Sequence, residues 1–392
     1  MLHRLFTLAI LLSVSLTGLS SVMAETHLRI ATFNVALYGK TASEIHERLS
    51  GKDDAQSQNI ARIVQTVRPD ILLINELDYD KDFAVAKLLA KNYFAVGQPG
   101  VDGETLQGIE YPYLYSAASN TGIDSDMDLN HDDKLHTAND AFGYGIYPGQ
   151  YSMTVYSRYP IQTDQLRTFQ LFRWSQMPDA IRPADPDSGD FYYDDATWEQ
   201  LRLSSKNHID VPIQVGEETI HVLASHPTPP VFDGREDRNG ARNHDEVQFW
   251  VHYLDADPNA TWLQDDQGNA GGLASGESFV VMGDLNADPV DGSGRREAIQ
   301  RLISHPRVHD VQPKSSDEAI AERKERYKGK GDLASKTADW GRNGYMRVDF
   351  VLPSSDLNVE TSGVFWPNRN DETAKWAEAS DHRMVWIEVK LP

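Results

Sequence analysis

Side chains that could carry out chemistry recur in this sequence where apolar stretches end. The stretch FVVMGDLNADP, residues 279–289, places a carboxylate at Asp284 and a carboxamide at Asn286. Alone, it favours a plain turn, because Asp and Asn are common turn residues. If Leu285 points the other way along an extended strand, both polar side chains face the same side. Asp284 could then orient or deprotonate a water, while Asn286 donates a hydrogen bond to a phosphoryl oxygen.

Other apolar runs contain or end in polar residues of the same kinds. They are Asn34 in LRIATFNVA, Glu76 in DILLINEL, His226 in TIHVLASH, Asp349 in MRVDFVL, and Asp381 with His382 in SDHR. Each has a structural explanation: a turn, a hydrogen-bonded core histidine or a helix cap. A carboxylate inside an apolar strand, however, is costly to bury unpaired. Together the residues supply oxygen ligands for a hard cation such as Mg²⁺ and histidines for proton handling at neutral pH.

The elements that must position these residues follow from the apolar patterning. Strands are predicted at 28–36, 70–77, 111–117, 151–157, 219–226, 278–286, 346–352 and 384–391, and helices at 54–70, 81–91, 245–254 and 296–304. Polar segments at 97–140, 165–205 and 312–344 are interpreted as insertions between strands. We therefore expect one domain over residues 25–392 that carries these three insertions.

The first 24 residues predict a secretory signal peptide. Arg4 precedes the apolar run Leu5–Leu12, and Val22-Met23-Ala24 supplies small residues at cleavage spacing. We expect cleavage near Ala24 and a secreted or periplasmic protein without a stable membrane anchor. The absence of cysteine excludes disulfides and thiolate metal sites. A formal charge of -22 argues against tight non-specific binding of polyanions, and no obligate protein partner is evident.

The insertions and the segment after His226 offer further candidate ligand sites. Segment 124–133, DSDMDLNHDD, places oxygen ligands at alternate positions like a calcium loop. It lacks the glycine and distal glutamate of an EF-hand, so an acidic solvated loop is the commoner outcome. Arg235, Arg238 and Arg242 could bind phosphates or pair with neighbouring carboxylates. Tyr144 or Tyr151 could reach the site from segment 141–153.

The ordered motifs TFN, INE, SH, GDLN, RVDF and SDH resemble the endonuclease/exonuclease/phosphatase superfamily, which includes DNase I, as a secreted, bacterial-type member. The resemblance runs from residue 28 to 391. It implies an α/β fold of the α+β type: a four-layer sandwich in which two facing, mostly antiparallel sheets carry helices outside. The active site would lie at the strand ends.

The resemblance also implies roles for individual residues. Asn34 and Glu76 would hold Mg²⁺, or Mn²⁺, with Asp381 at the edge of the metal site. The implied catalytic residues are His226, Asp284, Asn286, Asp349 and His382. Tyr144, Arg235 and Arg238 are candidates for binding substrate, and the Asp124–Asp133 loop is a candidate calcium site.

We therefore expect a secreted, divalent-metal-dependent phosphoester hydrolase in which water attacks a phosphodiester or a phosphomonoester. One alternative is a DNase I-like extracellular endonuclease, which the acidic charge and the lack of a basic stripe weaken. A second alternative is a non-catalytic binding module on the same fold. Such a module is expected to have lost part of the catalytic set, whereas every expected position is filled here.

Overall fold

The structure is a computed structural model that describes residues 26–391. The predicted signal peptide, residues 1–24, lies outside this range, so its cleavage stays a prediction. Within residues 26–391, no helix combines the length and the apolar character that a membrane span requires.

The strands and helices are numbered in chain order. Strands β1 to β13 span Thr26–Leu37, Ile71–Leu77, Tyr113–Ser116, Ser152–Ser157, Arg167–Thr168, His208–Val215, Glu218–Ser225, Ser278–Asp284, Ala338–Asp339, Tyr345–Met346, Asp349–Pro353, Asn358–Val364 and Val385–Leu391. Helices α1 to α7 span Glu44–Ser50, Ala55–Val67, Ala84–Leu89, Asp195–Trp198, Arg238–Asp255, Glu297–Ile303 and Asp317–Arg323. A π-helical turn, Ala90–Phe94, extends α3.

The strands form two large sheets and one small ribbon within the described range. The first sheet has the order β12-β13-β1-β2-β4-β3, the second has the order β11-β8-β7-β6-β5, and β9 pairs with β10. Only β1 with β2 and β7 with β8 run parallel among these neighbours. The prediction of two mostly antiparallel sheets is therefore confirmed.

Alternation along the strands explains the layering. In β1, Leu28 and Ile30 pack in the core between the two sheets, whereas Ala31 and Phe33 pack against the outer helices. The corresponding inward residues of β7 and β8 are Ile220, Val222, Ala224, Val280 and Met282. Successive side chains of a strand point to opposite faces, so a strand covered on both sides must be apolar at nearly every position.

Helices cover the outer face of each sheet. Ile45 of α1 and Ile60 of α2 belong to the cluster on the first sheet. Trp250 of α5 and Ile299 of α6 belong to the cluster on the second sheet. Helix, sheet, sheet and helix thus form the four layers that the resemblance implied.

Some elements differ from the patterns that predicted them. Helix α5 begins at Arg238, not at residue 245, because its first turns bury polar residues that no apolar period reveals. Asn243 donates to the Thr228 and Leu285 carbonyls at 2.8 and 3.0 Å. The predicted strand 346–352 divides into β10 and β11, and the polar segments 165–205 and 312–344 contain β5, α4, α7 and β9. Strands β6 and β12 were not predicted.

Candidate active site

The inward-facing rows of the strands continue into polar residues at one edge of the sandwich. Asn34 follows Ile30 and Thr32 at alternate positions of β1, and Asp284 ends the corresponding row of β8. His226 is the next alternate position after Ala224 of β7, and Asp349 begins β11. All four are nearly inaccessible to solvent. The strand ends predicted to carry chemistry therefore converge between the sheets.

Asp284 lies at the centre of this group. Its Oδ2 accepts a hydrogen bond from Asn34 Nδ2 at 3.0 Å, and the same amide nitrogen lies 3.0 Å from Glu76 Oε1. His226 Nε2 lies 3.5 Å from Asp284 Oδ2 and 3.9 Å from Glu76 Oε1. Asn34 and His226 thus connect two carboxylates that would otherwise repel each other.

A second histidine approaches Asp284 from the C-terminal part of the chain. His382 Nδ1 lies 2.9 Å from Asp349 Oδ2, while its Nε2 lies 3.7 Å from Asp284 Oδ2. Asp381 Oδ1 is 4.0 Å from the same ring nitrogen. Thr337 Oγ1 accepts from the Asp349 backbone N–H at 3.0 Å, which fixes the strand that carries the carboxylate.

The carboxylates and histidines of this group differ in proton affinity. Burial alone would raise the pKa of Asp284, but His382, His226 and Asn34 lower it below its usual range. Burial and the charge of Asp284 instead raise the pKa of Asp349, even though His382 opposes this. Burial would lower the pKa of His382, but Asp349 and Asp284 raise it well above its ordinary value. These shifts favour the ionised form of Asp284 and the protonated form of His382.

The pKa of His226 shifts in the opposite direction from the pKa of His382. Burial and the nearby ammonium of Lys206 lower the pKa of His226, against the opposing effect of Asp284 and Glu76. Its Nδ1 is buried without a hydrogen-bond partner among the described residues, as is Asp349 Oδ1. Unpaired buried polar atoms are uncommon in folded proteins, and two of those found among the described residues belong to this cluster.

Gly283 and Asn286 have separate structural roles in the GDLN motif. Gly283 has φ +140°, and a Cβ there would lie 2.1 Å from the Ser225 carbonyl oxygen, so only glycine permits the close approach of β7 and β8. The Asn286 backbone N–H donates to Asp284 Oδ1 at 2.9 Å, and its side-chain amide donates to the Pro227 carbonyl at 3.1 Å. An amide nitrogen carries two hydrogens, so one is left for a ligand.

Residues with a left-handed backbone conformation occur repeatedly around the cluster. Ala36, Glu76, Tyr151 and Asn286 have φ values of +48°, +59°, +59° and +50°. This conformation costs about 1–2 kcal/mol for a residue with a side chain, and it persists where surrounding structure enforces it. The fold therefore gives up some stability to position these side chains.

The match of the chain to a family profile extends over the whole cluster. Residues 31–382 match the Endonuclease/Exonuclease/phosphatase family. The chain belongs to this family. The matched range includes every predicted catalytic and metal-ligating residue, from Asn34 to His382. A comparison with curated protein sequences finds no match.

Several solved structures resemble the chain at low sequence identity. An endonuclease/exonuclease/phosphatase from Beutenbergia cavernae is 15% identical, with a TM-score of 0.49, and the alignment covers 93% of this chain and 72% of that one. A family protein from Leptotrichia buccalis is 15% identical, with a TM-score of 0.46, covering 93% and 100%. Sphingomyelinase C from Streptomyces griseocarneus is 13% identical, with a TM-score of 0.44, covering 93% and 99%.

Lys206 is a buried lysine that lies outside the motifs from which the site was predicted. It precedes β6, is 7% exposed, and lies within electrostatic range of Glu246, Glu76 and Asp284. Burial lowers the pKa of its ammonium, while these carboxylates raise it. A buried lysine in a segment without apolar rhythm gives no local signal, so only the fold reveals its position.

Two of the residues expected to hold a metal, Glu76 and Asp381, are partly exposed at the edge of the cluster. The described residues include Glu76, His226 and Asp284 as a group whose ligand atoms lie within 4.8 Å of one another. The side chains of Glu76 and Asp381 are 21% and 52% exposed, so both can be reached by an ion. Asn34 lies beside Glu76, although its Oδ1 accepts from the Ala36 N–H at 3.1 Å. Carboxylates in this arrangement suit a hard divalent cation.

The candidates for substrate binding divide into two groups. Arg235 pairs with Asp187 at 2.8 Å, and Arg238 pairs with Glu236 and lies over the Tyr192 ring. Both arginines thus pair with carboxylates of this chain; Glu236 is a neighbour of Arg238 in the sequence, whereas Asp187 lies 48 residues before Arg235. Arg242 is likewise occupied, since it donates to the Leu203, Phe142 and Arg202 carbonyls. Tyr144, by contrast, is 56% exposed, and its ring stacks against Tyr151.

The carboxylates of the candidate calcium loop accept hydrogen bonds from the loop itself and contact a nearby histidine. Asp128 accepts from the backbone N–H groups of Asp132 and Asp133 at 3.2 and 2.9 Å. Asp124 lies 2.5 Å from His136 Nδ1 and also accepts from the Asp126 N–H. Calcium binding at this loop stays a prediction.

Proposed function

We propose that this chain is a divalent-metal-dependent phosphoester hydrolase in which water attacks phosphorus and displaces an alcohol or phenol. The observation that carries the proposal is the environment of Asp284, a buried carboxylate contacted by Asn34, His226 and His382. Membership of the endonuclease/exonuclease/phosphatase family supports the same reaction class.

Glu76, Asp381 and Asn34 would hold Mg²⁺ or Mn²⁺, and Asn34 contacts Glu76. When bound, this ion supplies positive charge that polarises a phosphoryl oxygen. The exposed edges of Glu76 and Asp381 support this role, because a catalytic ion needs open coordination positions for substrate and water.

Asp284 and His382 divide the proton chemistry. The lowered pKa of Asp284 favours its ionised form, which can accept a hydrogen bond from the attacking water. His382, held by Asp349, carries a proton that stabilises negative charge growing on the phosphoryl oxygens. As the water oxygen bonds to phosphorus, one of its protons passes to a phosphoryl oxygen or to solvent; as the ester bond breaks, the leaving oxygen takes up a proton from solvent or leaves as an anion.

Lys206 and Asn286 supply further positive charge and hydrogen bonding for the phosphate. Lys206 places a buried ammonium among carboxylates, where its field is weakly screened. Asn286 offers the amide hydrogen that Pro227 does not use. Together with His226, they would favour the transition state, in which the phosphoryl oxygens carry the most charge.

The test is turnover of bis-p-nitrophenyl phosphate, p-nitrophenyl phosphate and supercoiled DNA, each with Mg²⁺ and with EDTA. We expect metal-dependent release of p-nitrophenol, and losses of about 10²-fold or more in Asp284→Ala and His382→Ala. The absence of turnover across these and a wider panel of phosphoesters would contradict the proposal. Nicking of DNA as the dominant activity would instead favour the endonuclease alternative.

A matched control lies in the same sheet. His221 and Asp210 form another histidine–carboxylate pair, 2.7 Å apart, on β7 and β6. Unlike His226, His221 stands at an outward position of β7. His221→Gln should therefore retain wild-type turnover, which separates loss of a catalytic ring from general damage to the second sheet.

A further inference from the structure

Three tyrosine rings lie together beside the candidate active site. Tyr38 and Tyr151 have ring centroids 4.5 Å apart, and Tyr151 and Tyr144 have centroids 6.5 Å apart with an interplanar angle of 30°. Tyr38 is 39% exposed and Tyr144 56% exposed. These three residues, here called the tyrosine cluster, present aromatic surface to solvent where most large apolar side chains are buried.

Buried polar contacts hold the segments that carry the rings. Tyr147 Oη donates to the Gly39 carbonyl at 2.9 Å and lies 2.5 Å from Asp78 Oδ2. Gln150 donates to the same Gly39 carbonyl at 2.8 Å and accepts from the Ile146 N–H at 2.8 Å. The segment carrying Tyr144 and Tyr151 is thus fixed to the chain that follows Tyr38. Because the rings are already fixed, a ligand that binds them pays little free energy for ordering these side chains.

The tyrosine cluster adjoins the residues expected to hold the metal. Tyr38 follows β1, which carries Asn34, and Tyr151 precedes Ser152, whose partner on β2 is Leu77, the residue after Glu76. The rings therefore lie within reach of a group attached to the phosphate.

We propose that the tyrosine cluster is a substrate subsite that binds a planar aromatic ring, such as a nucleobase, on the group that stays attached to the phosphate after the leaving group departs. This inference rests on the proposed hydrolase function and names its substrate class. Aromatic rings pair favourably at centroid distances of about 4.5–7 Å, and bases stack on exposed tyrosines without regard to sequence. The charge of -22 disfavours a long polyanion, so the substrate is a small phosphoester carrying one ring or a few.

The experiment compares phosphodiesters that share a leaving group and differ in the retained group. Thymidine 5′-p-nitrophenyl phosphate, phenyl p-nitrophenyl phosphate and ethyl p-nitrophenyl phosphate all release p-nitrophenol, so differences in kcat/KM report the retained group. We expect at least one ring-bearing ester to exceed the ethyl ester by about tenfold or more, mainly through KM. The thymidine and phenyl esters distinguish a ring held through a sugar from one bound directly to phosphate.

Variants of the cluster identify where the ring binds. Tyr144→Ala should reduce the ratio of kcat/KM between ring-bearing and ethyl esters about tenfold, and Tyr144→Phe should retain it. Tyr113 is the control: it is 39% exposed, like Tyr38, but pairs with Ser157 at the opposite end of β4. Tyr113→Ala should keep the wild-type ratio.

Turnover of all three esters without a preference for a ring, or an unchanged ratio in Tyr144→Ala, would overturn the subsite and leave the hydrolase function intact. Calorimetric titration with thymidine 5′-phosphate and with inorganic phosphate, both in Mg²⁺, tests the subsite even when no ester is turned over. Tighter binding of the nucleotide that is lost in Tyr144→Ala, without turnover of any ester, would retain the subsite and contradict the hydrolase. Equal binding of both ligands would overturn the subsite.

Discussion

Asp284 and Asp349 face each other directly across the antiparallel strands β8 and β11, yet their pKa values shift in opposite directions. Two buried carboxylates at paired positions would repel each other if both were ionised. His382 resolves this conflict, because its two ring nitrogens lie 2.9 Å from Asp349 and 3.7 Å from Asp284. The ring and the two carboxylates therefore behave as one electrostatic unit.

Asp349→Asn should reduce kcat strongly while leaving KM for bis-p-nitrophenyl phosphate within about twofold. Asp349 orients the His382 ring and is the largest influence raising its pKa, so the variant misplaces a ring that is also less often protonated. We expect a loss of about 10²-fold or more in kcat, measured at saturating substrate with Mg²⁺. A kcat close to the wild-type value would show that His382 does not depend on Asp349.

Lys206→Met should lower kcat/KM and preserve or raise thermal stability. The variant removes positive charge near the phosphate, and we expect a loss of about 10–100-fold. It also removes the cost of burying an ammonium, and Glu246 keeps its hydrogen bonds from the Ser205 and Thr228 N–H groups. Steady-state kinetics and thermal unfolding measure the two effects. Lower stability with unchanged kcat/KM would assign Lys206 a structural role.

Gly283→Ala should destabilise the fold more than a comparable change elsewhere. The added Cβ would lie 2.1 Å from the Ser225 carbonyl oxygen, so β7 and β8 must separate. We expect a loss of about 2–3 kcal/mol or more in the free energy of unfolding. Gly216 also has a positive φ, but a Cβ added there would meet nothing within 4 Å. Gly216→Ala should cost about 1 kcal/mol, and urea unfolding compares the two.

His208 should make the protein less stable as the pH falls below neutral. Burial lowers the pKa of His208 to about 4, while an unfolded histidine titrates near 6.5. Above about pH 6.5 both states are neutral, and stability is complete. Between about pH 6.5 and 4 the unfolded chain binds the proton first, so the free energy of unfolding falls by about 1.4 kcal/mol per pH unit from this group.

Urea unfolding of the wild type and His208→Gln at pH 7.5 and 5.0 measures this contribution. The glutamine variant should lose about 2 kcal/mol less than the wild type between the two pH values, whatever its stability at pH 7.5. Only the change in the free energy of unfolding between the two pH values is compared between the proteins. The cost of the altered contacts with Ser204 and the Glu246 carbonyl therefore cancels. Equal losses in both proteins would show that His208 does not titrate differently on unfolding.

The sequence by itself determined the strands that carry the site and the residue types at their ends. In β1 and β8 every second residue faces inward, so Asn34 and Asp284 continue rows of inward apolar residues. This alternation can be read from the sequence without any knowledge of tertiary contacts. The ordered motifs then indicated the family and its four layers. A polar residue that interrupts an apolar row stands out in the sequence. Because burying it without a partner is costly, its presence there indicates a specific role.

Only the tertiary structure decided which side chains meet. Lys206 lies in a segment without periodicity, and Tyr38 and Tyr144 are far apart in the chain, so no local pattern joins them to Glu76. Arg235 and Arg238, which the sequence left open as ligands for phosphate, are paired with Asp187 and Glu236. Local patterning records which face of a strand is buried, whereas contacts between distant segments depend on how the two sheets and their connecting loops pack.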